Sequence, residues 1–192
     1  QYLNVDFKKS EQYARLAFKL YPEDNYEKRG NCYGVFTAIY AQTSRSPQAL
    51  TYIDSAIYFY EEAKDTVGLS FAYSSKGGVL IQLNLLKEAA EVIYKSLKLN
   101  GETGDINARL GGLHNLLEVY RVLGELDKMF ATCETILTLA DSMNDTRMKA
   151  LVYDAMGVAT FNQSKIDSAL VYYQKAVVEF EILNDQEYLA LT

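Results

Sequence analysis

The chain has 192 residues, of which 49% are hydrophobic and 23% are charged, and its formal net charge is −6. This acidic balance, without any run of more than two lysines or arginines, argues against nucleic acid and an anionic membrane surface as partners of this segment. No apolar stretch approaches the roughly 20 residues that a membrane helix needs. A membrane contact is therefore expected only through sequence outside this segment.

Residues 1–25 have the pattern of a single helix, in which Tyr13 precedes Tyr173 by four intervals of 40 residues. From residue 26 onward two helical patterns alternate. They are clearest in residues 66–83 and 86–99, where the apolar side chains recur with a period near 3.6 rather than in alternation. The link at residues 83–85 is too short for anything but an antiparallel pair of helices. The link predicted at residues 100–104 is polar and rich in glycine.

The same residue types recur 40 residues apart along most of the chain, which indicates stacked copies of one helical hairpin. One series carries aspartate at the predicted start of the first helix, where a carboxylate accepts hydrogen bonds from free backbone N–H groups. We interpret these aspartates as helix caps rather than metal ligands, because they fall one per repeat. The two clearest series are Ala49, Ala89, Met129 and Ala169, and Asp65, Asp105, Asp145 and Asp185.

This spacing predicts one domain, residues 1–192, made of a half repeat followed by complete repeats and the start of another. Small residues at fixed positions would let neighbouring helices approach closely, and large ones would fill the gaps. Tyrosines at the large positions are expected in the core. The predicted segments are a half repeat at 1–25, repeats at 26–65, 66–105, 106–145 and 146–185, and the start of a further repeat at 186–192.

The packing residues resemble the tetratricopeptide repeat (TPR) family, in a variant with repeats of about 40 residues known from bacterial regulatory and sensor proteins. The fourth repeat carries the resemblance best, through Gly157, Ala169 and Ala176, with the segments at 165–170 and 172–176. The third departs from it most. The resemblance implies an all-α fold, a right-handed α–α superhelix of TPR type. It also implies protein or peptide binding in a concave groove lined by the first helix of each repeat.

Carried over residue by residue, the resemblance assigns a set of groove residues to the middle and last repeats. It also puts Asn31, Gly34, Val35 and Ala38 on this face in the first repeat. The family's carboxylate clamp for acidic peptide ends does not match, because the clamp positions hold neutral or acidic residues such as Ser74 and Glu118. The candidate binding residues are Phe71, Ser74, Ser75, Gly78, Gln82, Gly111, His114, Asn115, Glu118, Arg121, Asp154, Phe161 and Asn162.

Gly78 and Gly111 stand inside predicted helices, where each costs about 0.5–1 kcal/mol relative to alanine. The core pattern does not require glycine at either position. One interpretation is that a ligand backbone or a partner helix approaches closely there. The other is that the glycines relieve crowding between first helices.

The residue types that catalysis or cofactor binding needs are sparse. His114 is the single histidine, Cys32 and Cys133 are about 100 residues apart, and neither Gly-Gly pair lies between a strand and a helix. Zinc sites need several histidine or cysteine ligands, and a phosphate loop needs the strand-to-helix context. We therefore expect no catalytic residue, no cofactor and no metal, and we expect both cysteines to be free and buried.

The function that the resemblance favours is protein or peptide binding in the sensor or ligand-binding region of a larger bacterial signalling or transcription-regulatory protein. An alternative is a free-standing TPR adaptor or scaffold for complex assembly, and a further one is a small-peptide receptor. The repeats at both ends are predicted to be incomplete, so we expect either flanking sequence or a partner chain to cover them. A homo-oligomer through these uncapped ends is one form of the latter. A sensor region would be extracytoplasmic, and an adaptor cytoplasmic.

Overall fold

A computed structural model of the protein describes residues 6–183, with the backbone but not the side chains of residues 102 and 103. Within these residues the chain forms nine α-helices and no β-strand. None of the described helices is both long and apolar enough to cross a membrane. In chain order they are α1 (Phe7–Leu20), α2 (Tyr26–Gln42), α3 (Ser46–Ala63), α4 (Thr66–Gln82), α5 (Leu86–Thr103), α6 (Ile106–Leu123), α7 (Leu126–Met143), α8 (Thr146–Asn162) and α9 (Ile166–Leu183).

The helices belong to two compact units, and the boundary between Asn115 and Leu116 falls within α6. In the first unit α2 packs on α3 and α4 on α5, and in the second α8 packs on α9. Each helix after α1 has 17 or 18 residues, so two helices and two short turns account for the interval of 40. That all predicted repeats form one array stays a prediction, and residues 186–192 lie outside the described residues.

Aspartate begins the first helix of three helix pairs, as the recurrent series predicts. The side chain of Asp65 accepts a hydrogen bond from the backbone N–H of Gly68 at 2.9 Å. Asp105 and Asp145 make the equivalent bonds three residues ahead, at 3.0 and 2.9 Å. Each carboxylate thus satisfies one of the free N–H groups of a helix start. The last member of the series, Asp185, lies outside the described residues.

The fifth helix is longer than its pattern predicts. We expected a link over residues 100–104, but α5 continues to Thr103 and ends at Gly104, which has a left-handed φ of 72°. Asn100 is 2% exposed and its side chain accepts a hydrogen bond from Ser70 on α4. This tertiary contact holds a polar residue inside the helix, which local sequence alone does not reveal.

The core of the first unit is built where small and large residues meet. Ile53, Ala56, Tyr60 and Ala72 form one buried cluster. A methyl group added at Gly77 on α4 would lie 2.5 Å from Cγ1 of Ile93 on α5. The helices can therefore approach this closely only because that position has no side chain.

Unit two repeats this packing with different side chains. Ala150, Ala176 and Phe180 form its buried cluster. A methyl group added at Gly157 would lie 2.7 Å from Cδ1 of Tyr173. Met129, which departs from the small residue of its series, is fully buried.

The core assignment of the tyrosines is only partly correct. Of the tyrosines expected in the core, Tyr120 is buried, at 5% exposed. Those at 33, 40, 73, 153 and 173 are half-buried, because their hydroxyl ends reach the edge of the packed layer. The core tyrosine that the pattern missed is Tyr60, at 3% exposed. Both cysteines are free and buried, as expected.

Candidate functional site

A cavity of about 530 Å³ opens in the first unit between α2, α4 and the start of α6. This volume falls within the range of about 300–1,000 Å³ usual for ligand pockets. Its walls come mainly from the first turns of α4 and α6 and from one side of α2. The lining residues are Asn31, Gly34, Val35, Ala38, Tyr60, Asp65, Val67, Gly68, Phe71, Asn100, Asp105 and Ala108.

The floor of the cavity is the ring of Tyr60, held among glycines of α2 and α4. A methyl group added at Gly30 would lie 2.9 Å from the ring, and one at Gly68 would clash with it. The hydroxyl of Tyr60 donates a hydrogen bond of 2.8 Å to Oδ1 of Asn31. Burial, and then the negative charges of Asp65 and Glu27, raises the pKa of Tyr60 to about 12. The hydroxyl therefore stays protonated and fixed at neutral pH.

Apolar side chains line the walls but remain open to solvent. Val67 and Phe71 on α4 are 58% and 59% exposed, and Val35 on α2 is 43% exposed. The periodicity of residues 66–83 places Val67 and Phe71 on the apolar pattern of α4, yet neither is buried. Large apolar groups that converge on a cavity without being covered are a feature of ligand and partner sites.

The rim is acidic. Asp65 and Asp105 lie at the starts of α4 and α6, and both line the cavity. Oδ1 of each carboxylate accepts the capping hydrogen bond from its own helix. Lysine and arginine are absent from the lining residues. The cavity thus combines an apolar wall with carboxylates at its mouth.

Only one of the predicted groove residues, Phe71, lines this cavity. Further along α4, Ser74, Ser75 and Gly78 are half-buried and Gln82 is exposed. Gln82 is engaged at the helix end, because the hydroxyl of Ser46 donates to its Oε1 at 2.8 Å.

On the part of α6 in the first unit, Gly111 and His114 are exposed and Asn115 is half-buried. Asn115 donates from Nδ2 to the backbone carbonyl of Ser74 at 3.5 Å. That bond brings one predicted residue of α6 against one of α4. It also uses Asn115 for a structural contact.

The remaining candidates lie in the second unit. Arg121 donates to both carboxylate oxygens of Glu118, from Nε at 2.8 Å and from Nη2 at 2.5 Å. The two side chains therefore form a bidentate ion pair within one helix. On α8, Phe161 and Asn162 are exposed, and Asp154 is half-buried. Burial raises the pKa of Asp154 above its ordinary value.

The two unexplained glycines face open space. A methyl group added at Gly78 or Gly111 would meet no heavy atom within 4 Å. The interpretation that they relieve crowding between first helices is therefore wrong. Their neighbours in sequence are the crowded ones, Gly77 against Ile93 and Gly112 against Leu97.

The sequence-based candidates missed most of the cavity. The resemblance did put Asn31, Gly34, Val35 and Ala38 on the groove face, but the candidate set was centred on later repeats. The glycines at 30, 34 and 68 were the available signal, because they cluster at the starts of α2 and α4. Tyr60 gave none, since its position in the second helix suggests only core packing.

In the described residues, no group of three or more histidine, cysteine, aspartate or glutamate side chains is placed to hold a metal ion. No family model matches the sequence, and no curated protein sequence matches it.

Solved structures do match. A putative kinesin light chain from Podosopora anserina with nearly identical TPR-like repeats has a TM-score of 0.72 at 10% identity, over 93% of this chain and 87% of that one. This chain has a tetratricopeptide-type repeat fold. The all-α TPR-type solenoid predicted from the sequence is thus confirmed.

Two further TPR-type matches come from proteins of a different kind. Aspartyl phosphate phosphatase F from Bacillus subtilis has a TM-score of 0.82 at 16% identity, over 95% of this chain and 46% of that protein. A Rap protein complexed with Competence and Sporulation Factor has a TM-score of 0.66 at 16% identity, over 96% of this chain and 67% of that one. The chain therefore spans less than half of the phosphatase.

Proposed function

We propose that this TPR-type chain binds a protein or peptide partner, and that the cavity of the first unit is where the partner is anchored. The observation that carries this proposal is the cavity itself, at about 530 Å³ with Val67 and Phe71 more than half exposed. Burying exposed apolar surface drives most protein association, and anchors of a partner usually fill such pockets.

The open glycines support a partner on this side of the helices. Glycine inside a helix costs about 0.5–1 kcal/mol against alanine, and nothing in the described residues occupies the space at Gly78 or Gly111. A partner backbone that approaches α4 and α6 would use that space.

We propose that this binding serves the ligand-binding region of a larger bacterial signalling or transcription-regulatory protein. Two matched proteins of this fold support the regulatory context, namely the aspartyl phosphate phosphatase and the Rap protein complexed with Competence and Sporulation Factor. Repeats of this fold form only 46% of the phosphatase. The adaptor and small-peptide receptor remain alternatives, and we propose no catalytic role.

The test is selection of a displayed library of random short peptides on the intact chain, followed by binding to three variants. Phe71→Gln removes the aromatic wall of the cavity. Phe161→Gln is its matched control on a first helix of the second unit, because Phe161 is 55% exposed. Val178→Gln is a second control on the second helix α9, where Val178 is 54% exposed.

We expect Phe71→Gln alone to reduce binding of the selected peptides, by about tenfold if one apolar contact worth ~1.4 kcal/mol is lost. Loss with Phe161→Gln alone would move the anchor to the second unit. Equal binding to all three variants, or no selected peptide, would overturn the proposal.

A further inference from the structure

We infer that the cavity of the first unit selects peptides that carry a lysine or arginine side chain next to a large apolar side chain. This inference rests on the proposed function and names its ligand class. Three features of the cavity carry it: the apolar wall, the two carboxylates at the rim and the lack of a basic residue in the lining.

The wall fixes the apolar half of the ligand. Val35, Val67 and Phe71 are each at least 43% exposed and face a volume large enough for a whole side chain. The floor does not shrink when a ligand enters, because Tyr60 is held between glycines and bonded to Asn31. A preformed apolar pocket keeps the ordering cost of binding low.

The rim fixes the charged half. Asp65 and Asp105 each use Oδ1 for a helix cap, and the positive end of a helix dipole offsets a carboxylate by only about half a charge. A negative potential therefore remains at the mouth of the cavity. The floor responds to it, since the charges of Asp65 and Glu27 contribute to the raised pKa of Tyr60.

The rest of the chain adds to this preference. A net charge of −6 favours the approach of cations and disfavours that of anions. Lysine and arginine carry the cation on a long apolar stem, which can lie along Val67 while the charged end stays in water beside the aspartates. An acidic ligand would bring like charges together at the rim.

The experiment incubates the intact chain with pools of N-acetylated, C-amidated hexapeptides and quantifies the retained peptides by mass spectrometry. One position is fixed as Lys, Arg, norleucine or Glu, and the others are random. Acetylation removes the terminal amine, so the side chain is the only cation. We expect the Lys and Arg pools to be retained at least threefold over the Glu pool in low salt.

Asparagine caps helices about as well as aspartate, so Asp65→Asn and Asp105→Asn remove charge and keep the fold. The matched control is Asp145→Asn, because Asp145 makes the same cap on α8 in the second unit and does not line the cavity. Each rim variant should lower the Lys-to-Glu ratio by about twofold to fivefold, as expected for exposed ion pairs. The control variant should leave the ratio unchanged.

The outcomes separate the inference from the proposed function. Pools retained through Phe71 without a cation preference would overturn the inference alone. An equal effect of Asp145→Asn would assign the preference to net charge and overturn it too. A preference that survives 1 M salt would also count against it, since such contacts are screened. No retention that depends on Phe71 would overturn both.

Discussion

The two sides of α4 and α6 in the first unit use glycine for opposite reasons. In each Gly-Gly pair one residue is packed and the other faces open space. Gly77 lies against Ile93 and Gly112 against Leu97, whereas Gly78 and Gly111 have no heavy atom near the position of a missing methyl group. Glycine on the packed side lets two helices meet. Glycine on the open side has no such role within the described residues and lies where we propose that a partner binds.

The largest expected effect breaks the packed side. Gly77→Ala would force Cβ to within 2.5 Å of Cγ1 of Ile93, and overpacking of this kind costs about 1–3 kcal/mol. We expect a lower midpoint in urea unfolding. The double variant with Ile93→Ala, compared with Ile93→Ala alone, should show a smaller cost for the added methyl group. An unchanged midpoint in the single variant would show that α4 and α5 can move apart freely.

A smaller effect is expected at the cavity floor, which also belongs to the packed side. Tyr60→Phe removes the hydroxyl that donates to Asn31 at 2.8 Å, at a cost of about 0.5–1.5 kcal/mol. Denaturant unfolding at neutral pH measures it. A cost near zero would mean that the hydroxyl gains nothing from its bond to Asn31.

The same variant has a signature in alkali. The pKa of Tyr60 is about 12 in the folded chain against an ordinary 10.0, so the unfolded chain loses this proton first. The stability that this proton contributes is full below pH 10 and is lost as the pH rises towards 12. The stability difference between the native chain and Tyr60→Phe should therefore shrink over that range. A constant difference would contradict the shifted pKa.

The open side predicts a change of the opposite sign. Gly78→Ala and Gly111→Ala should each stabilise the chain by about 0.5–1 kcal/mol, because alanine is the better helix former and has room for its methyl group. Thermal unfolding tests this directly, with Gly77→Ala as the contrasting variant. Destabilisation at either open position would show that a neighbour fills the space. Weaker binding of selected peptides to the stabilised variants would support a partner at these glycines.

The smallest expected effect concerns the open side of the second unit. Burial raises the pKa of Asp154 above 3.8, so its ionised form opposes folding at neutral pH, and stability from its protonation is lost as the pH rises through the folded pKa. Asp154→Asn should stabilise the chain at pH 7 by up to about 0.5 kcal/mol. The gain should vanish in acid, where the native carboxyl group is protonated. A gain that is independent of pH would point to another cause.

Local and periodic signals predicted the helical hairpins well. Aspartate caps a helix through its own next turn, so Asp65, Asp105 and Asp145 could be read from spacing alone. The end of α5 could not, because Asn100 stays helical through a bond from Ser70 on another helix. The candidate site was harder still. Ser74 and Asn115 do meet, and Glu118 pairs with Arg121, but the cavity lies nearer the start of the chain.

The sequence by itself determined the repeat, its helix pairs and the all-α fold, because these depend on residue type at fixed intervals along the chain. Tertiary structure decided which glycine of each pair is packed, which tyrosine is buried and where a cavity opens. Tyr60 becomes the floor of that cavity only because Gly30 and Gly68, on two other helices, leave room for its ring. Such a contact depends on the distance between helices, which the residues of any one helix do not set.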